Sequence, residues 1–374
     1  MKILFLIDNL SSGGAQRQLV TLTRLLKKSG HSVSVLVYNS GDFFEDQLIE
    51  MGIPVIKCFA SNYLIRIIQI RKKIWRGKYD AVISFLDVPN FINNISAVGR
   101  RKRWAVITSE RSSKEAVLLS RRGKLFAWFQ RFSDAIVCNS HNAEVMWINH
   151  YPQYRKKIHT IYNTVILPAR STTYQPHRGG KIHIVVAASY QYLKNPIGLI
   201  RSIARLDSSA LRRLQVDWYG NTYVNAVDKD AAYKEACELV ESLNLKEIVF
   251  LHKPTREIHL KMLEADFVGL FSQVEGLPNT ICEAMMLGKP IIMSRVSDYK
   301  VLVNEENGFL CTWDDEETIK EALEKAIALP NEELEKMGMS SYIKALKLFS
   351  SSVIISQWED LIIQSRKHAK DKKQ

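Results

Sequence analysis

Cysteine is scarce and scattered: five residues in 374, at Cys58, Cys138, Cys237, Cys282 and Cys311. No two stand in Cys-x-x-Cys spacing and their number is odd. A disulfide framework and a cysteine zinc site are thereby excluded, and free thiols in a reducing cytosol are expected. Long apolar runs are also missing. No stretch reaches the roughly 18 residues that a spanning helix needs. The opening run Met1–Ile7 is cut by Asp8-Asn9, too early for the apolar region of a secretory signal. Acidic residues are in deficit, 39 against 52 Lys and Arg, for a net charge of +13. Such a field attracts nucleic acid, anionic lipid or phosphorylated substrates without choosing among them. Helix-turn-helix, zinc-finger and RNP patterns are absent, which counts against nucleic acid. No repeat of solenoid length is present.

What is there reads as a globular protein, 46% hydrophobic and 24% charged. A chain of 374 residues exceeds what one core usually serves, so two domains are expected. Short apolar runs at 2–8, 31–38, 53–58, 79–85, 104–109, 134–139 and 157–162 alternate with helical patterns. One such pattern is Ala15–Lys28, with Leu19, Leu22, Leu25 and Leu26 at helical spacing. Strands separated by helices imply a parallel sheet covered on both faces. Residues 168–180 break the pattern with Thr, Gln, Pro, His and Gly-Gly and read as a linker. The alternation then resumes, with strands at 181–187, 214–219, 248–251, 266–271 and 290–293. Helices fall at 195–206, 227–243, 255–264, 280–287 and 314–328. The expected fold is α/β: two Rossmann-like, doubly wound domains facing a central cleft, at 1–167 and 181–350. A last helix, about 351–365 with Trp358, is expected to pack back on the first domain, ahead of a polar tail.

The segment from Ser272 to Met285 carries the sharpest chemistry. It reads Ser-Gln-Val-Glu-Gly-Leu-Pro-Asn-Thr-Ile-Cys-Glu-Ala-Met, with Glu275 and Glu283 framing a strand–loop–helix junction. A helix N-terminus offers unpaired N–H groups to charged oxygens, while carboxylates accept from sugar hydroxyls. Asn279 is the expected N-cap and Glu283 falls near the first turn. A glutamate there also complements the helix dipole, so Glu-x7-Glu alone is weak. The longer string is what favours function. Cys282, Met285 and Met286 read as core, and most histidines, such as His31 and His183, as strand-edge residues without ligand spacing.

The block from Ala265 to Ile292 resembles the signature of glycosyltransferase family 4 (group 1), the retaining enzymes of the GT-B fold. Ser11–Gln16, Asp134–Ser140, Ile161-Tyr162-Asn163, Lys194-Asn195, Tyr219-Gly220 and Asn307-Gly308-Phe309 resemble further family pieces in family order. The resemblance implies that Glu283 accepts from a nucleotide ribose and that Glu275 binds the donor sugar. It implies that Lys194 sits against the diphosphate, and that Gly13 and Gly14 let backbone approach the phosphates. Gly276, Leu277, Asn279 and Thr280 are placed beside the donor in the same way. Two departures stand out. Ser189 occupies the position where the family often has Arg; Arg17, Lys253 and Arg295 are candidates to replace that charge. Where the family often has His near the donor sugar, after the 104–109 strand, this chain has Glu110-Arg111, candidates for the acceptor side.

The implied reaction is retaining transfer from a nucleoside-diphosphate sugar, UDP- or GDP-linked, to a glycan acceptor in cell-surface polysaccharide synthesis. No Asp-x-Asp motif stands where a metal-bridged donor would need one, so no metal is expected; Asp314-Asp315 reads as a helix cap. Same-face attack, with the departing phosphate taking the acceptor proton, competes with double displacement through a carboxylate. Basic-aromatic clusters at 63–76, 100–104 and 121–129 lie in the first domain. Each can be a sheet-covering helix with a solvated cationic face. Three together favour contact with an anionic membrane and a lipid-linked acceptor. The expected location is therefore cytoplasmic, at the inner face of the cell membrane. The competing readings are another GT-B enzyme such as a nucleotide-sugar epimerase, a basic nucleic-acid-binding or other non-catalytic binding protein, and an inactive scaffold.

Overall fold

Short runs of β-branched and aliphatic residues form the strands of two separate parallel sheets. A computed structural model describes residues 1–99, 102–111, 115–167, 180–223 and 230–371. The chain divides into two compact units: Met1–Thr164 joined by the helix Ser351–Asp371, and Val165–Ser350. The 168–180 linker lies outside the described residues except for Gly180, as do Arg100 and Arg101 of one basic cluster.

The first sheet contains β1 Lys2–Leu6, β2 Ser32–Val37, β3 Val55–Lys57, β4 Ala81–Phe85, β5 Ala105–Glu110, β6 Ala135–Cys138 and β7 Ile158–Thr160. Their spatial order is β3-β2-β1-β4-β5-β6-β7, every pairing parallel. The order reverses between β1 and β4. Strands such as β4 are buried along their whole length because helices cover both faces. The helix Gly14–Lys28 does part of this by burying Leu19, Leu22, Leu25 and Leu26, and its last turn carries Lys27 and Lys28 against the dipole.

The terminal helix Ser351–Asp371 completes this unit. Ile354, Trp358, Leu361 and Ile362 recur on one helical face and join the core of Ile3, Phe5 and Phe85. Trp358 stacks on Phe85 with ring centroids 6.5 Å apart. Polar ties flank it: His31 Nε2 to Glu359 Oε1 at 2.8 Å and Arg366 to Asp80 at 2.5 Å. The sequence reading ended this helix at about 365; it runs on to Asp371.

The second sheet holds β8 Ile182–Ala187, β9 Leu214–Tyr219, β10 Val249–His252, β11 Phe267–Leu270, β12 Ile291–Ser294 and β13 Gly308–Cys311. The order is β10-β9-β8-β11-β12-β13, again parallel throughout, reversing between β8 and β11. Besides the short helices Ser208–Arg212 and Tyr299–Leu302, the sequence reading missed two longer-range features, β13 and the helix Asn331–Phe349. Both carry a glycine required by contact. A Cβ on Gly308 would lie 2.1 Å from the Ile291 carbonyl oxygen, and one on Gly338 would lie 2.4 Å from that of Gly288. Propensity counts those glycines against regular structure, while close backbone approach demands them.

Candidate functional site

In an open parallel sheet, ligands bind beyond the carboxyl ends of the strands where strand order reverses. In the second unit that point lies between β8 and β11, and the segments leaving these strands carry Lys194 and Glu275. Lys194 closes a single 3-10 turn, Tyr192–Lys194. Asn195 follows with φ of 62°, a left-handed conformation that Asn tolerates. Its side chain accepts from Gly198 N–H at 3.1 Å, capping the helix Pro196–Ala204, and donates to the Trp313 carbonyl at 2.6 Å. The loop is thus anchored on both sides, and the Lys194 ammonium meets Glu275 Oε1 at 2.5 Å.

Glu275 also accepts from Ser272 Oγ at 2.7 Å. Ser294 Oγ donates to the Ser272 carbonyl at 2.6 Å, and Gln273 N–H donates to Leu193 O at 2.8 Å. The two loops therefore act as one body. The Lys194 and Glu275 side chains are 19% and 13% exposed, sheltered from bulk water yet reachable. A pair in that setting is held more firmly than a surface ion pair and can still turn charge and hydrogen bonds to a ligand.

The helix after this loop spans Asn279–Met286. Pro278, not Asn279, sits at the cap position, because its carbonyl accepts from the Ile281 and Cys282 N–H groups and so starts the ladder. No side chain caps this helix. Glu283 consequently lies beyond the first turn, where its Oε2 meets His259 Nε2 at 2.9 Å. Thr280 Oγ1 donates to Ala187 O at 3.2 Å, tying the helix mouth to the end of β8. Gly276 offers its carbonyl to Ser297 Oγ, and Leu277 is buried. Cys282 and Met285 are fully buried in the core and Met286 is half-buried.

Ser189 lies just past β8, and its hydroxyl accepts from Gln191 Nε2 at 2.8 Å. Gly220 is forced here: a Cβ would stand 1.9 Å from the Ala188 carbonyl oxygen, which also accepts from Trp218 Nε1 at 2.7 Å. Lys253 and Arg295 are both exposed, and Arg295 donates to Thr312 Oγ1 at 3.2 Å.

One polar network went unread in the sequence. His183 is not a simple strand-edge residue. It is buried, and its Nε2 lies 2.7 Å from Asp217 Oδ2. His252 Nε2 reaches the other oxygen at 2.5 Å, and Gln215 donates at 2.7 Å. Burial alone would raise the Asp217 pKa, but these donors bring it down to about 2. The three residues come from β8, β9 and β10, so their meeting is a matter of sheet register, invisible along the chain. His31, equally, bonds to Glu359 from the distant terminal helix.

In the first unit the reversal between β1 and β4 is occupied by a cavity of about 790 Å³. Asp8 after β1, Asp87 after β4 and Glu110 at the end of β5 line it, with Arg66 and Arg122. Leu86, at the same rim, has φ of 78°, a conformation rarely taken by a residue with a Cβ. Glu110 and Arg111, taken together in the sequence reading, diverge as strand neighbours must. Glu110 is buried against Asn90 and Gln130. Arg111 lies with its guanidinium 4.0 Å from the Phe85 ring centroid and donates to Asn163 Oδ1 at 2.7 Å; burial lowers its pKa to about 9. Gly13 precedes the helix Gly14–Lys28, and a Cβ added at Gly14 would meet nothing within 4 Å.

Two Rossmann-like units, each with polar side chains gathered at the reversal of strand order, are those of a GT-B fold. The chain belongs to the group 1, family 4 glycosyltransferases. The family model "Glycosyl transferases group 1" matches residues 173–343, and "Glycosyltransferase Family 4" matches residues 12–168. A relative from Campylobacter jejuni is 26% identical over 97% of this chain and 99% of its own. It is named as the alpha-1,4-N-acetyl-D-galactosaminyltransferase acting on GalNAc-alpha-(1->4)-GalNAc-alpha-(1->3)-diNAcBac-PP-undecaprenol. Anabaena HepE in complex with UDP superposes with a TM-score of 0.83 at 17% identity, over 97% of this chain and all of that one. The lipopolysaccharide outer core galactosyltransferase WaaB does so with 0.77 at 14%, over 97% and 98%. The protein is therefore a transferase enzyme, and the epimerase and non-catalytic readings fall away.

Proposed function

We propose that the chain transfers a sugar, with retention of anomeric configuration, from a nucleoside-diphosphate sugar to a lipid-linked glycan in cell-surface polysaccharide synthesis. The second unit takes the donor and the first unit the acceptor. The carrying observation is the Lys194–Glu275 pair at 2.5 Å, set at the strand-order reversal beside the uncapped helix Asn279–Met286. A diphosphate leaving group gathers negative charge as the glycosidic bond breaks. A cation and helix amides fixed in advance stabilise that charge. Glu275 and Glu283 accept from hydroxyls of the sugar and ribose.

In this reading Lys194 exchanges part of its contact with Glu275 for the diphosphate, and Glu275 is left to the donor sugar. The acceptor hydroxyl attacks the anomeric carbon on the face the diphosphate leaves, and its proton passes to the departing phosphate oxygen. The Lys194 charge serves this without a resident metal. A uridine diphosphate sugar is the first donor to try, since Anabaena HepE was solved with UDP and with UDP-glucose. An undecaprenyl-diphosphate glycan is the first acceptor, since the Campylobacter relative is named for one.

Membrane association belongs to the same reading. No helix among the described residues is long and apolar enough to cross a membrane. The helix Tyr63–Gly77 exposes Leu64, Ile65 and Ile68 beside Lys72, Lys73 and Arg76. An interfacial surface of this composition brings the enzyme to a lipid-borne acceptor.

The test is incubation with a panel of UDP- and GDP-sugars and undecaprenyl-diphosphate glycans, reading nucleotide release and the anomeric configuration of the product by NMR. Transfer with retention is expected. An inverted product, or nucleotide release with no glycosylated lipid across the panel, overturns it.

A further inference from the structure

The cavity of the first unit holds a group that the donor side does not use. Glu110 closes β5 beside the reversal of strand order. Its Oε1 accepts from Asn90 Nδ2 at 2.9 Å and from Gln130 Nε2 at 3.0 Å. Neither amide is free to turn round. Asn90 Oδ1 accepts from Ser84 Oγ at 2.8 Å and from Ser109 N–H at 3.3 Å. Gln130 Oε1 accepts from Asn94 Nδ2 at 3.1 Å and from Thr108 Oγ1 at 2.9 Å. Both amides therefore present donors to Glu110, and together they occupy Oε1. Oε2 has no such partner among the described residues, and Glu110 lines the cavity of about 790 Å³.

We propose that Glu110 is an acceptor-recognition residue of this transferase, presenting Oε2 to the cavity as an O–H donor to an oxygen of the acceptor sugar. The assignment rests on the reading that the first unit takes the acceptor. The apolar walls, Leu86, Val88, Phe91 and Phe126, suit the hydrophobic face of a sugar ring, while Glu110 supplies a directed polar contact.

The electrostatics agree with the geometry. Burial pushes the Glu110 carboxyl up to about 8, and the negative charge of Asp87 adds to this; the amide donors and Arg111 only partly offset them. The charged groups around it are few. Asp87 stands at the start of the helix Asp87–Ser96, Arg111 follows in the chain, and the buried Cys138 thiol on β6 is neutral, its pKa raised well above the usual range. Asp8, Arg66 and Arg122 lie further round the cavity wall. With two donors on Oε1, the proton of the neutral acid belongs on Oε2. An ionised Glu110 accepts only, so its contact with a sugar oxygen that carries no proton of its own is lost as pH rises through about 8.

The decisive comparison is Glu110→Gln against Glu110→Ala. The network would hold the glutamine carbonyl at the Oε1 position and turn its amide N–H to the cavity, in place of the acid proton. Initial rates are measured over UDP-sugar and undecaprenyl-diphosphate glycan concentration, with UDP affinity and thermal melting as controls. E110A should raise the acceptor KM about 10- to 30-fold, the scale of one buried hydrogen bond, and leave UDP affinity unchanged. E110Q should stay within about 3-fold of the wild type. Acceptor kcat/KM should fall above pH 8 for the wild type and stay level for E110Q. A folded E110Q as impaired as E110A would show that a proton acceptor is needed there and overturns the assignment. An E110A whose acceptor KM is unchanged does so as well. A wild type that glycosylates no lipid defeats the proposed reaction and this assignment with it; a wild type that transfers while E110A keeps its acceptor KM defeats the assignment alone.

Discussion

The ammonium of Lys194 and the carboxylate of Glu275 stand 2.5 Å apart, joining the segments that leave β8 and β11 where the strand order of the second sheet reverses. The two residues are separated by 81 positions in sequence. They meet because parallel strands β8 and β11 are neighbours, and because Ser272 and Asn195 fix the loops on either side. In the proposed reaction this cation, held by its own carboxylate, is the group that shifts toward the donor diphosphate.

Lys194→Ala should lower kcat by about 10²- to 10³-fold, the scale seen when one fixed transition-state donor is lost. Glu275→Gln should reduce turnover as well, with the larger share in kcat/KM for the donor. Steady-state kinetics over nucleotide-sugar concentration checks both. A Lys194→Ala enzyme with at least half the wild-type kcat would remove Lys194 from the leaving-group role.

Glu110 should leave a mark on stability. Its carboxyl rises from 4.5 to about 8 on folding, chiefly through burial. The protonated form is thus the one the fold prefers. That preference is complete below about 4.5 and is lost as pH climbs through 8. Relative to E110Q, the wild type should lose stability over this window at about 1.4 kcal/mol per pH unit, up to a few kcal/mol in total. Urea titrations at pH 5, 7 and 9 measure it.

Asp217 should behave in the opposite sense. Its carboxyl is held at about 2 despite burial, by donors from His183, Gln215 and His252. The stabilisation is present above the ordinary 3.8 and disappears as pH falls toward 2. Asp217→Ala should cost about 2–4 kcal/mol at neutral pH, because the buried His183 and the partly exposed His252 lose their shared partner. Chemical denaturation gives the value.

Trp358→Ala should destabilise the first unit by about 3–5 kcal/mol, the usual cost of removing a large buried aromatic. The indole is 2% exposed and packs on Phe85. Deleting the chain after Ser350 should go further and prevent the first unit from folding cooperatively. Limited proteolysis, with cleavage sites mapped by mass spectrometry, would locate the loss.

Exchange of Leu64 and Ile68, which are 68% and 63% exposed, for serine should cut recovery with anionic liposomes several-fold. Replacing Lys72, Lys73 and Arg76 by alanine should remove the salt-sensitive part of that binding. Flotation at low and high salt separates the two contributions. Equal recovery of wild type and both variants would dismiss this face as a membrane contact.

Most strands and the longer amphipathic helices were legible because their periods are short-range properties of the chain. Leu19, Leu22, Leu25 and Leu26 announce a helix, and the Ser272–Met285 string announces the strand–loop–helix that carries Glu275 and Glu283. The helix start was misplaced by one residue because the cap is a backbone event at the Pro278 carbonyl, not a side-chain preference of Asn279. The helix Asn331–Phe349 and strand β13 were missed because Gly308 and Gly338 look like breakers until the carbonyls they approach are known.

From its own order of residues the chain determined its alternating strands and helices, its parallel α/β class, its glycosyltransferase signature and the identity of Lys194, Glu275 and Glu283 as candidates. Only tertiary structure decided that Lys194 meets Glu275, that Glu283 turns to His259, that His183 and His252 share Asp217, and that Glu110 faces a cavity while Arg111 lies on Phe85. The reason is physical. Periodicity and caps act over a few residues, whereas strand neighbours, burial and the donors that set a carboxyl's charge come from segments tens of residues apart, brought together by packing.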